Sequence, residues 1–216
     1  MAQRPSCPLC NRRRPERFCP AQGEKICAVC CGTERERTLD CPADCVYLIA
    51  AHRYEQGHRQ SLAPADIPFP GAEVSRSLIY EQQLLLSGLA HTLVKFADEQ
   101  RALTDLDALA ALTALAETYR TLVSGIYYEK PPDAPLPAAL YAALAAFIQE
   151  YKKQSAAASF AGVKDSAVFA VLIYLARICR SSTNGRPRSR LFLGLLRTGS
   201  PQAQDQLAET SRIITP

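Results

Sequence analysis

The fold is decided by an N-terminal stretch: Cys7-Pro-Leu-Cys10, Arg17-Phe-Cys19-Pro-Ala21, Ile26-Cys27-Ala-Val-Cys30-Cys31-Gly-Thr-Glu-Arg35 and Cys41-Pro-Ala-Asp-Cys45. Eight of the nine cysteines fall within the first 45 residues. Each Cys-x2-Cys pair can present two sulfurs to one metal ion from a tight turn. Zinc takes four ligands in a tetrahedron at about 2.3 Å from each sulfur, so eight cysteines make two complete sites. Reach along the chain groups Cys7, Cys10, Cys27 and Cys30 at one zinc, and Cys19, Cys31, Cys41 and Cys45 at the other. The ligands then interleave, as in a cross-brace. Adjacent Cys30 and Cys31 point apart, so each serves a different ion and the two roles are interchangeable. His52 and His58 stand as reserve ligands. Cys41-Pro42-Ala-Asp44-Cys45 reads as a helix entry, with Cys41 at the cap and Pro42 in the first turn. A helix then runs from Val46 to Arg59, with Cys41 and Cys45 on one face.

A segment of about 60 residues with few large apolar side chains builds little core, and metal binding supplies the folding energy it lacks. The module 1–60 is therefore read as a structural fastener. A sharper alternative is a thiol-based redox switch, with Cys19 or Cys31 as a reactive thiolate beside Arg17 or Arg35. The start of the chain has no apolar signal-like region. Its longest apolar run, Ala167 to Ala176, is far below the roughly 20 residues a membrane helix needs. A cytoplasmic location is expected, where thiols stay reduced and a dense cysteine cluster means metal before disulfides.

The run from Arg17 through Cys27-Ala-Val-Cys30-Cys31-Gly-Thr-Glu-Arg35 to Cys41-Pro-Ala-Asp-Cys45-Val-Tyr-Leu48 resembles the N-terminal module of a group of uncharacterised bacterial proteins. The likeness covers about the first 50 residues. It implies a bacterial zinc-binding protein and no particular activity. The spacing is more loosely similar to B-box and MYND cross-brace fingers, which mostly bind proteins. Those families use histidine at some ligand positions where this run has cysteine.

Outward from the module the composition changes. Residues 61–72 carry three prolines and a glycine that no helix interior accommodates, and read as a linker. Beyond it the chain is rich in Ala and Leu, and reads as an all-α bundle of about five helices over 73–198. The expected helices are 74–101, 105–127 capped by Thr104, 137–154 opened by Pro137, 165–181 and 188–197. The fourth, apolar on every face, is expected to be the most buried. A polar tail, 199–216, completes a mainly α chain.

The formal net charge is +4, distributed as +3 over 1–60, −4 over 61–155 and +5 over 156–216. Eight thiolates and two zinc ions would move the first segment to −1 and the whole chain to 0. Basicity that survives is local. Arg177, Arg180, Arg186, Arg188, Arg190 and Arg197 have no acid among them between Asp165 and Asp205. They suggest a DNA, RNA or phosphate contact, or else a solvated loop whose arginines pair with the acidic middle segment. Arg12-Arg13-Arg14 offsets the charge of zinc thiolates.

No phosphate-binding glycine loop, nucleophile elbow or His-Glu-x-x-His motif is present. His91 lacks an acid at helical spacing to orient it, and Cys179 reads as packing. The chain is thus expected to be a non-enzymatic zinc-binding adaptor that holds two structural zinc ions and docks a protein partner. Nucleic-acid binding through 177–197 is the alternative, and the redox switch a third.

Overall fold

The computed structural model describes residues 5–58, 61–158 and 162–199. The chain is mainly helical. It divides into a small unit made of residues up to Ser61 together with Asn184–Ser189, and a larger unit holding Leu62–Thr183 and the chain from Arg190. Among the described residues, no helix is long and apolar enough to cross a membrane.

The small unit opens with a loop in which Cys7 N–H donates to Arg13 O at 2.8 Å and Asn11 N–H donates to Cys7 O at 2.7 Å. A hairpin follows: β1 (Arg17–Cys19) pairs antiparallel with β2 (Glu24–Ile26), placing Cys19 opposite Glu24. Gly23 turns it at φ +70°, a left-handed conformation that glycine adopts without steric penalty. Helix α1 (Ala28–Glu34) carries Cys30 and Cys31 on its buried side. Helix α2 spans Val46–Gly57. The core is small: beyond the cysteines it buries Ile26 and Leu39, with Tyr47 partly buried against them.

Here the expected helix entry is corrected. Helix α2 starts at Val46 with Cys45 as its N-cap. Cys41 lies outside any helix, and Cys45 N–H closes a turn onto Pro42 O at 3.0 Å. The cap preference of Pro42 and Asp44 is spent on that turn, so Cys41 and Cys45 share no helical face.

The larger unit contains six helices among the described residues: α3 (Arg76–Glu81), α4 (Gln83–Glu99), α5 (Asp105–Val123), α6 (Pro135–Ala158), α7 (Asp165–Ser182) and α8 (Leu191–Thr198). The first expected helix is two, broken at Gln82, whose N–H tightens onto both Leu78 O and Tyr80 O. Thr104 caps α5 as expected, and the structure completes a capping box: Thr104 accepts from Asp107 N–H, and Asp107 accepts from Thr104 N–H. This helix stops at Val123, four residues early, because Gly125 turns the chain at φ +82°. Helix α6 is longer than foreseen at both ends. The apolar helix α7 is the centre of the unit, with Val168, Val171, Leu172, Ile173 and Leu175 buried and α5 packed along it. The Pro-rich segment before α3 packs within this unit: Phe69 meets the Phe169 ring edge-on at 5.6 Å. The stretch 200–216, most of the expected tail, lies outside the described residues.

Gly88 of α4 faces the Phe147 ring of α6. A Cβ at this position would overlap the tip of the Phe147 ring. The two residues line an apolar groove of about 780 Å³ with Tyr174, Ile178 and Leu196. Gly88→Ala is expected to destabilise the unit by about 1–3 kcal/mol through the displaced ring. In a Phe147→Leu background the ring tip is gone, and the same change should be neutral or stabilising through helix propensity. Urea unfolding of the four proteins checks this; equal penalties in both backgrounds would place the strain elsewhere.

Candidate metal centre

Three local devices bring the first four sulfurs together. The 7–13 loop presents Cys7 and Cys10. The hairpin delivers Cys27 at its exit. Cys27 then caps α1, its sulfur accepting Cys30 N–H at 3.4 Å, which brings Cys30 round one helical turn. Cys27 also donates its own N–H to Cys7 Sγ at 3.3 Å. The ligand atoms of Cys7, Cys10, Cys27 and Cys30 all lie within 4.8 Å of one another. Cys10 Sγ and Cys27 Sγ are 3.9 Å apart. A tetrahedron with zinc–sulfur bonds of about 2.3 Å requires sulfur separations of about 3.8 Å. One four-cysteine site that fits zinc is therefore present.

The electrostatics of Cys7, Cys10 and Cys30 also favour a cation. Backbone N–H groups of Arg12 and Arg13 bring the Cys10 thiol down to about 6. Burial pushes Cys7 up, but the N–H groups of Cys27, Cys10 and Leu9 outweigh it and hold the thiol low. Cys30 goes the other way, pushed up to about 12 by its hydrogen bond with Cys27, by burial and by Cys10 and Cys7. The surroundings thus favour thiolate at Cys7 and Cys10 and oppose it at Cys30, an opposition that a divalent cation would relieve. These four thiols would hold zinc as a closed structural site, with no position left for water or substrate.

The other four cysteines do not converge in the same way among the described residues. Cys19 and Cys31 are buried in the same small core, against which Cys41 is partly buried. Burial raises the Cys41 thiol, the backbone of Glu36 lowers it, and the charges of Cys19, Cys45 and Glu36 raise it, for a net rise. The reserve histidines are occupied elsewhere. His52 Nε2 is 3.0 Å from Glu36 Oε2, and His58 Nδ1 is 2.8 Å from Tyr54 O. His91 lies exposed on α4. Cys179, fully buried, donates to Asp105 O at 3.3 Å, and its burial raises the thiol strongly.

The basic residues of 177–197 are mostly turned to internal work. Arg177 donates to the carbonyls of Pro68, Phe69 and Ala72 at 2.6–3.0 Å. Arg180 pairs with Asp66 at 3.4 Å and Arg197 with Asp98 at 2.7 Å. Arg190 donates to Leu103 O and Arg101 O at 3.1 and 2.7 Å. Arg186 donates to Arg35 O at 2.9 Å and meets Glu55 at 3.4 Å. Arg188 has an exposed side chain, while its N–H donates to Glu36 O at 2.9 Å.

These last contacts reveal a polar cluster that sequence reading missed. Glu36 is 3% exposed, with a left-handed backbone at φ +53°. Its carboxylate accepts from Asn184 Nδ2 at 2.8 Å as well as facing His52. Burial alone would raise Glu36, but the hydrogen bonds from His52 and Asn184 and the charges of His52 and Arg186 outweigh it and lower it. The only sequence signal was an acid in a short polar turn, which says nothing of a partner 148 positions away. No protein-family model, curated protein or solved structure matches the chain.

Proposed function

We propose that this chain is a zinc-stabilised interaction protein. Two zinc ions, each held by four cysteines, fold the small unit, and the helical unit docks a protein partner. The observation that carries the reading is the closed set Cys7, Cys10, Cys27 and Cys30, whose separations suit a tetrahedral ion and whose thiols need a compensating charge. Saturated thiolate sites favour a structural over a chemical role for the metal. The second ion rests on the cysteine spacing, with Cys19 and Cys31 buried in the small core and Cys41 partly buried against it. Exposed Ile126, Tyr127 and Tyr128, on a turn fixed by Ile126 N–H to Thr121 O at 2.9 Å, support partner docking. Aromatic side chains on a fixed backbone are favoured at interfaces.

Elemental analysis of the full chain is expected to give close to two zinc per molecule. Cys7→Ser and Cys41→Ser should each lower that by about one. A folded chain without metal refutes the reading, and a single zinc lost only with Cys7→Ser refutes its second site. For docking, capture of a partner should survive nuclease and fall on Tyr127→Ala/Tyr128→Ala. Capture abolished by nuclease would favour the nucleic-acid alternative.

A further inference from the structure

The groove beside Gly88 holds about 780 Å³. Sites for small molecules run from about 300 to 1,000 Å³ and are mostly apolar, with a few placed polar groups. The walls here fit that description. Phe147 comes from α6, Leu175 and Ile178 from α7, and Leu195 and Leu196 from α8. Leu195 is 49% exposed, an apolar side chain left in water on the open side of the groove. Packing within the helical unit has not closed this space, and an apolar occupant would remove its walls from water.

Three further polar side chains line the same groove: Ser87 and His91 from α4, and Tyr174 from α7. None of the three side chains has a hydrogen-bond or ionic partner among the described residues. Thr92 differs, because its hydroxyl donates to Gly88 O at 2.8 Å. No lining residue is acidic. Lys95 lies one turn beyond His91 on the same face of α4, exposed and without an ion pair among the described residues. Asp98, the next acid along α4, is taken up by Arg197 at 2.7 Å. The α4 side therefore offers hydrogen-bond donors and a positive charge next to an apolar trough. We propose that the groove is a binding site for an amphiphile with an anionic head, a fatty carboxylate in chemical class. The aliphatic chain lies along Leu175, Ile178 and Leu196. The carboxylate sits on the α4 side, where Ser87 and His91 donate to it and Lys95 supplies the counter-charge. The site is independent of the metal centre, since all of its residues belong to the helical unit.

Calorimetric titration of the full chain with octanoate, decanoate and decanol tests the assignment. Decanoate should saturate a single site per chain. It should bind about tenfold or more tighter than octanoate, because each buried methylene is worth about fourfold. Ala90→Phe fills the groove from α4 and should weaken decanoate by about tenfold or more, with the thermal unfolding of the protein unchanged. Leu195→Glu probes the same groove from an exposed position, so it serves even if Ala90→Phe fails to fold, and it should weaken decanoate comparably. His91→Ala/Lys95→Ala should weaken decanoate several-fold and leave decanol unchanged. Absence of saturable decanoate binding overturns the proposal, and so does binding that survives both groove variants. Equal weakening of decanoate and decanol in the double variant overturns the anionic head. A chain that binds no decanoate and sediments as a dimer split by Leu195→Glu would give the groove to a second copy instead.

Discussion

Replacing Cys27 with serine is expected to unfold the small unit while the helical unit stays folded. Cys27 has three roles at once: it is one of the four converging thiols, its sulfur caps α1, and its N–H bonds Cys7 Sγ. The unit has little to fall back on, since its buried cluster is five cysteines with Ile26 and Leu39. Structural zinc in small fingers supplies about 10–16 kcal/mol at neutral pH. That equals or exceeds the whole net stability of an ordinary domain, about 5–15 kcal/mol. Serine cannot replace the thiolate as a zinc ligand, so most of that energy goes. Thermal unfolding should lose one transition and keep the other, and far-UV circular dichroism should remain strongly helical because α3–α8 lie in the other unit. Protease resistance of residues 5–58 in Cys27→Ser or in excess chelator would show that apolar packing suffices and that the metal is dispensable.

What could be read in advance follows the range of the physical signal. The grouping of Cys7 and Cys10 with Cys27 and Cys30 was legible because tight turns impose the two-residue spacing of each pair. The Thr104 cap of α5 was legible for the same reason, since its bond spans three residues. Recurring leucines placed α5, and a run apolar on every face placed α7. Reading faltered where a local preference had two outlets. Pro42 and Asp44 suit a helix start, yet the chain uses them in a turn and lets Cys45 cap α2. Periodicity through Leu78, Leu85 and Leu89 is the same for one helix or for two joined at Gln82, so the break left no trace. The arginines of 177–197 looked like a basic patch because sequence counts charges and cannot see the carbonyls of Pro68, Phe69, Ala72, Arg101 and Leu103 that receive them. Glu36 and Asn184 were invisible as a pair because a single hydrogen bond across 148 positions produces no pattern at all.

The largest effect expected in the helical unit comes from Asp105, a residue that sequence reading did not single out. It is fully buried. Its Oδ2 accepts Phe192 N–H at 3.2 Å and its Oδ1 accepts Leu193 N–H at 3.3 Å. Those are the first turn of α8, whose N-terminal N–H groups have no partner within their own helix. The next element, α8, therefore starts on a side chain supplied by α5, and Phe192 and Leu193 are buried where that bond holds them. Asp105→Ala removes the acceptor and leaves two buried donors unpaired, each costing about 1–3 kcal/mol. We expect a loss of about 3–5 kcal/mol in the helical unit, a fall in Tm of roughly 10–15 °C for a unit of this size. Asp105→Asn keeps one acceptor oxygen and should lose less. Amide exchange of Phe192 and Leu193 should accelerate more than that of α7 if α8 detaches locally. Uniform acceleration across the unit would mean that Asp105 supports the core as a whole, and unchanged stability would show that the α8 N-terminus finds other acceptors.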